Sequence, residues 1–335
     1  MKVAKAIATR VAAAGNTDPS LPVRDGLEQV AVKLAGLLES NEALVSEICH
    51  YLIDGGGKRL RPLFILLVFR GCGGADKALE DAVDAAVALE LIHSATLLHD
   101  DIIDAGMLRR GKPSAYARYG PAASLVAGDY LFCRAFELCG RFDERLVRTA
   151  AGACIQLTEG EAMEGRLRHH PAATLDDYLA LITRKTASLF GAGGRVAADL
   201  AGAAPALIHA MEQMGLALGR AFQMVDDMLD IIGPEERIGK PVGSDLRAGV
   251  LSLPVVLGMR TTPELTALFA NGAPHDEEEL HRALELMRRP AVRGEARTLA
   301  EQQIAFACKQ LDGLAPSAYR GALRTLIESQ LDRDS

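Results

Sequence analysis

The sequence predicts an all-α fold, a single-domain helical bundle around a central cavity. Three observations carry that expectation. Apolar residues recur at steps of three and four over long stretches, the period of one helix face. The chain is rich in Ala and Leu, only 4% aromatic and free of Trp, which favours helix over strand. Two acidic runs, Asp100-Asp101-Ile102-Ile103-Asp104 and Asp226-Asp227-Met228-Leu229-Asp230, lie inside such apolar stretches. An ionised carboxylate there is costly unless a cation holds it, so these helices are expected to line a cavity. With 335 residues and 49% hydrophobic content there is ample material for a large core.

Residues 1–24 read as an N-terminal extension and residues 25–335 as one helical domain. The first 17 residues carry Lys2, Lys5 and Arg10 with no acid, only loosely like a transit peptide. Next comes Gly55-Gly56-Gly57-Lys58-Arg59-Leu60-Arg61-Pro62, three cationic side chains after a flexible Gly run. It is not a nucleotide P-loop, because Leu52 stands where the first Gly belongs and Arg59 replaces Ser/Thr. The apolar run Leu63 to Phe69 is far short of the ~20 residues of a membrane span. His93, Thr96, Asp100 and Asp104 then follow at steps of three, four and four on one helix face. Arg109-Arg110-Gly111-Lys112-Pro113 and Arg184-Lys185-Thr186 add positive charge. In the second long helix, Met211, Met214, Leu218, Phe222, Val225, Leu229 and Ile232 form an apolar stripe. Gly219, Gln223, Asp226 and Asp230 form a polar one beside it. Gly233-Pro234 and Gly239-Lys240-Pro241 end that helix.

A net charge of −7 without a basic block argues against a nucleic-acid partner. The six cysteines show no paired metal-ligand spacing, so reduced thiols in a cytoplasmic enzyme are expected. Within each acidic run, residues four apart lie on one helix face about 5.4 Å apart. Asp100/Asp104 and Asp226/Asp230 are therefore candidate ligands for Mg²⁺, which takes one or two protein carboxylates plus substrate phosphates. The scattered arginines and lysines suit recognition of more than one polyphosphate group, Arg as a bidentate fork and Lys as a point charge.

These stretches resemble the trans-isoprenyl diphosphate synthases of the polyprenyl synthetase family. The matching segments are GGGKRLRP (55–62), LIHSATLLHDDIIDAGMLRRGKPSA (91–115), AGDYL (127–131), KTASLF (185–190), FQMVDDMLD (222–230) and GKPVGSDL (239–246). The resemblance implies the all-helical isoprenoid synthase fold, a homodimer, and a Mg²⁺-dependent condensation of isopentenyl diphosphate with an allylic diphosphate, using two or three ions. It makes Asp100 and Asp104 the first metal pair and Asp226 the leading ligand of the second, with Asp230 secondary. It assigns Lys58, Arg61, His93 and Arg110 to isopentenyl diphosphate. Arg109, Lys185, Thr186, Gln223 and Lys240 fall to the allylic diphosphate, with Lys185 and Thr186 also steadying the allylic cation.

One departure from the family pattern stands at Gly249-Val250-Leu251-Ser252-Leu253-Pro254, where the family usually carries Lys and Thr after the Gly. That contact is dispensable, supplied by Arg247, or lost. A terpene cyclase or head-to-head condensing enzyme would need no Lys58/Arg61/His93/Arg110 set, and a non-catalytic subunit would show degraded Asp motifs. Ala95, Thr96, Ala88 and Ala85 on the helix leading to Asp100 are all small, which predicts an open tunnel and a long product of about six to ten isoprene units. In short-chain farnesyl or geranylgeranyl synthases, aromatic rings are expected there instead. Phe132 and Phe136 are the candidates for a deeper floor.

Overall fold

A computed structural model describes residues 18–57, 59–232, 242–272 and 274–334. Among them the chain is helical nearly throughout, as expected. The helices are α1 (Arg24–Leu37), α2 (Ala43–Asp54), α3 (Leu60–Gly71), α4 (Leu79–Ile103), α5 (Ala115–Tyr119), α6 (Pro121–Cys139) and α7 (Glu144–Leu167). They continue with α8 (Leu175–Ile182), α9 (Ser188–Leu200), α10 (Pro205–Ile232), α11 (Ser244–Arg247), α12 (Leu253–Thr261), α13 (Pro263–Ala270), α14 (Glu277–Met287), α15 (Pro290–Gln310) and α16 (Ala318–Glu328). The one departure from helix is a two-residue hairpin, β1 (Leu108–Arg109) against β2 (Lys112–Pro113), closed by Arg110 and Gly111 at positive φ.

The chain forms two compact units. The first comprises Met1–Gly152, Leu189–Gly215 and Gln310–Leu326, the second Ala153–Ser188, Leu216–Lys309 and Ile327–Ser335. At the centre of the first unit, α4 is buried almost all round, from Ala82 through Leu98, as its Ala/Leu-rich sequence requires. It is also the one described helix long and apolar enough to cross a membrane, yet 83% of its apolar window is covered by the fold, which makes it a core helix. Beside it α3 buries Pro62 to Phe69 without a break. The second unit packs Leu253, Val255, Val256 and Leu257 of α12 with Met224 and Val225 of α10 and Phe269 of α13. Along α10 the predicted stripe is buried at Met211, Met214, Leu218 and Val225 but only half-buried at Phe222, Leu229 and Ile232.

Helix ends carry the capping chemistry that satisfies their orphan N–H groups. Ser114 accepts from the Ala117 N–H at α5. Thr174 and Asp177 make a reciprocal capping box at α8. Asp276 accepts from the Glu279 N–H at α14.

Candidate active site

In the first unit, α4 delivers its acidic run to its own C-terminal end. Asp100 lies in the last turn and is half-buried, and the helix stops at Ile103. Asp104 is the exposed C-cap residue, its N–H bonded to the Asp100 carbonyl, so the two carboxylates remain one turn apart. A helix C-terminus carries partial negative charge, so two carboxylates there repel both the dipole and each other. That arrangement favours a cation.

Asp101, between them, is buried and does a different job. The guanidinium of Arg109 grips it as a fork, Nε donating to Oδ2 at 2.9 Å and Nη2 to Oδ1 at 2.8 Å. The neighbouring Arg110, in the left-handed region of the hairpin turn, points elsewhere. A Cβ added to Gly57 would meet its guanidinium at 3.3 Å, so the glycine loop leaves room for this arginine to lie across it. Arg61 stacks over the Phe190 ring at 4.6 Å. Arg59 is a structural cation, bonded to the buried Glu90 at 2.6 Å and to the Ile53 carbonyl at 2.8 Å.

These arginines converge on His93, the residue two turns before Asp100. Burial, then the charges of Arg61, Arg109, Arg110 and Arg59, holds its imidazole well below the usual histidine range. His93 is therefore neutral at pH 7, so it can offer an anion a hydrogen bond but no positive charge. The expected Arg61, His93 and Arg110 grouping is thus present in one unit, with Arg109 beside it. Lys58 and Lys240 lie outside the described residues.

The second unit holds the other set. Between α8 and α9, residues Thr183–Ala187 form one turn of π-helix that carries Arg184, Lys185 and Thr186. Such turns are frequent at functional sites. Its backbone lies so close to α7 that a Cβ on Gly160 would fall 2.6 Å from the Lys185 nitrogen. Lys185 bridges Glu161 at 2.7 Å and Glu164 at 2.8 Å, two acidic partners that sequence reasoning did not find. A Glu-x-x-Glu spacing on a helix facing a lysine was the available signal.

From this turn a hydrogen-bond chain runs to the second acidic run. The Thr186 hydroxyl donates to Gln223 Oε1 at 2.9 Å, and Gln223 Nε2 donates to Asp227 Oδ1 at 2.8 Å. Asp227 Oδ2 accepts from the Tyr178 hydroxyl at 2.7 Å and from the Leu253 N–H at 2.9 Å. Burial, and secondarily the charge of Asp245, pushes the Asp227 carboxyl up to about 7 against the pull of those donors. Burial and the Asp227 charge push the Tyr178 phenol up as well. Asp226 is half-buried, whereas Asp230 is buried and ties down the segment that follows. Its carboxylate accepts from the Asp245 N–H at 3.2 Å and its carbonyl from the Gly243 N–H at 2.9 Å.

Phe136 is half exposed and Phe132 is stacked between it and His99. Arg247 donates to Glu277 at 2.6 Å on the surface. Val250 itself contributes a backbone N–H to the Asp245 carbonyl.

Among the described residues no three His, Cys, Asp or Glu side chains converge to cage an ion unaided. The donor set nonetheless fits Mg²⁺, which needs only one or two hard carboxylates when phosphates complete its shell.

Comparison with known proteins agrees with this chemistry. The polyprenyl synthetase family signature matches residues 42–287. The chain is 34% identical to the nonaprenyl diphosphate synthase of Mycobacterium tuberculosis over 93% of each chain. It is also 34% identical to the octaprenyl diphosphate synthase of Escherichia coli over 89% of this chain and 92% of that one. A solved polyprenyl synthase from Caulobacter crescentus, complexed with calcium and isoprenyl diphosphate, superposes with a TM-score of 0.89 at 32% identity, covering 95% of this chain and 97% of that one. Fold and sequence together define an all-helical prenyltransferase. The chain belongs to the polyprenyl synthetase family, as a trans-polyprenyl diphosphate synthase.

Proposed function

We propose that this enzyme condenses isopentenyl diphosphate with an allylic diphosphate and repeats the step to a long all-trans product. The observation that carries this reading is the arginine cluster around a neutral His93, two turns from the Asp100/Asp104 pair. One group suits a diphosphate bound by side chains alone, the other a diphosphate bound through metal. A terpene cyclase has no use for the first.

In the reaction, Arg61, His93 and Arg110, together with Lys58, hold isopentenyl diphosphate so that its double bond faces the reacting carbon. Asp100 and Asp104 in the first unit, and Asp226 in the second, are the carboxylates that would hold Mg²⁺, which when bound would supply positive charge to a diphosphate leaving group. Arg109 and Lys240 add fixed charge toward the same leaving group. The Thr186 and Gln223 oxygens, fixed by Asp227 and Tyr178, are dipoles suited to an adjacent allylic cation. Lys185 is assigned to the allylic diphosphate and would exchange its Glu161/Glu164 partners for it. Asp230 fits better as the anchor of the Gly243–Asp245 turn than as a primary ligand.

Residues 25–335 act as one catalytic domain in this reading, in the cytoplasm. Leu125, Val126 and Phe136 leave large apolar area exposed on α6, which supports a homodimer through that helix. The long product is supported by Ala95 and Thr96, both buried on α4 with no ring nearby in sequence. Purified protein supplied with Mg²⁺, labelled isopentenyl diphosphate and farnesyl diphosphate should yield products longer than four units. Ala95→Phe or Thr96→Phe should shorten them to about three or four, since a ring adds ~150 Å² or more of obstruction. Products that stop at farnesyl or geranylgeranyl diphosphate in the wild type would overturn the long-chain reading.

A further inference from the structure

The last turn of α2 carries Tyr51, a half-buried residue that reaches two segments at once. Its carbonyl accepts the Gly55 N–H at 3.2 Å, where the helix gives way to the glycine loop. Its hydroxyl donates to the Pro113 carbonyl at 2.7 Å, in β2 of the hairpin. Between β1 and β2, Arg110 and Gly111 turn the chain at positive φ, and the Arg110 guanidinium lies across the other end of the same loop, at Gly57. Tyr51 therefore ties together the two pieces of backbone that decide where Arg110 sits.

The hairpin needs such a tie. Two strands of two residues make few ladder bonds and are marginal alone, and Pro113 has no N–H to add. β1 is held from one side, because Arg109 forks onto Asp101 of α4. Ser114 closes the base of the hairpin on itself, its N–H to the Met107 carbonyl at 2.9 Å and its hydroxyl to the Gly106 carbonyl. Neither contact reaches α2, whereas the Tyr51 hydroxyl does. The gap between α2 and the hairpin, lined by Tyr51, Gly55, Arg110 and Lys112, holds only about 30 Å³. The hairpin has little room to move inward, so this bond opposes the direction left to it, outward.

The tyrosine is itself fixed. Its ring meets Tyr119 of α5 edge-on at 5.6 Å, and Arg118 lies over both rings at 4.7 and 5.1 Å. The Tyr119 hydroxyl donates to Glu47 at 2.8 Å, one turn before Tyr51 on the same face of α2. A ring packed in this way already aims its hydroxyl at the hairpin. All of these residues belong to the first unit.

We propose that Tyr51 is a positioning residue for isopentenyl diphosphate, its hydroxyl holding the β1–β2 hairpin so that Arg110 stays over the glycine loop. This rests on the reading of Arg110 as a contact to that substrate. The effect is selective, because Arg109 keeps its own anchor at Asp101 when the Tyr51 bond is lost. Isopentenyl diphosphate then binds more weakly while the allylic diphosphate does not.

Steady-state kinetics of the full-length enzyme with Mg²⁺, varying each substrate at saturation of the other, test this. Tyr51→Phe keeps the ring in its stack and removes only the hydroxyl. It should raise the KM for isopentenyl diphosphate about three- to ten-fold, the range of one hydrogen bond. The KM for the allylic primer and kcat should both stay within about two-fold of wild type. In an Arg110→Ala background the same substitution should add less than about two-fold, since no arginine remains to be misplaced. Equal rises in both KM values, or a rise that multiplies in full with that of Arg110→Ala, would overturn the proposal. So would an unchanged KM for isopentenyl diphosphate in Tyr51→Phe when Arg110→Ala raises it. An Arg110→Ala enzyme with an unchanged KM would instead overturn the assignment of Arg110 on which the proposal rests.

Discussion

The two acidic runs share one sequence pattern and differ in how the fold holds them. In the first, the middle carboxylate, Asp101, is buried against the Arg109 guanidinium, a charged partner. In the second, the equivalent Asp227 is buried against a phenol, an amide and a backbone N–H, all neutral, and its carboxyl rises to about 7. In both runs the first aspartate, Asp100 or Asp226, is left half-buried and accessible. The comparison teaches that the second residue of each run is held as an anchor, while the first keeps the accessible position that the proposed ligand role needs. One anchor is paired with a cation, whereas the other has only neutral partners and its carboxyl is pushed up to about 7, mainly by burial.

The largest expected effect separates ligand from anchor. Asp100→Ala and Asp226→Ala should each lower turnover by about 10²-fold or more, because each removes charge that the ionising diphosphate needs. Asp104→Ala should act in the same direction, and circular dichroism should show all three folded. Steady-state rates near wild type at saturating Mg²⁺ would break the assignment.

A smaller effect separates the two anchors. Asp101→Asn leaves Arg109 without its charged partner and should cost about 2 kcal/mol of stability, the arginine being partly able to reach water. Asp227→Asn removes a charge that burial opposes, the carboxyl being pushed up to about 7, and should cost less than Asp101→Asn. Urea unfolding of the metal-free proteins would compare them. Equal losses would mean that the two anchors are held alike.

The smallest expected effect concerns the adjacent arginines, which diverge toward Asp101 and the Gly57 loop. Arg110→Ala should raise the KM for isopentenyl diphosphate several-fold more than that for the allylic primer, and Arg109→Ala the reverse. Parallel changes in both constants would indicate one shared phosphate site.

Much of this was legible in the sequence, because helical period alone puts Asp100 over Asp104 and Gln223 near Asp226. Which of two adjacent carboxylates faces inward was not, since one residue is a rotation of about 100° and only the neighbours decide its meaning. The π turn at Thr183–Ala187 left no compositional trace; it lies where the backbone closely approaches Gly160 on another helix. Phe136, one of two candidates for a deeper floor, proved half exposed. Burial of that kind is set by tertiary packing, which a single helix's pattern does not encode.

The central claim is that the accessible first aspartates bind metal while the buried second ones hold structure. Calorimetric titration of Mg²⁺, in the presence of inorganic diphosphate, into wild type, Asp100→Asn, Asp226→Asn and Asp227→Asn tests it directly. The account predicts that Asp100→Asn and Asp226→Asn each weaken Mg²⁺ binding at least ten-fold, while Asp227→Asn stays within about two-fold of wild type. Weakening by Asp227→Asn as large as that by Asp226→Asn would contradict it.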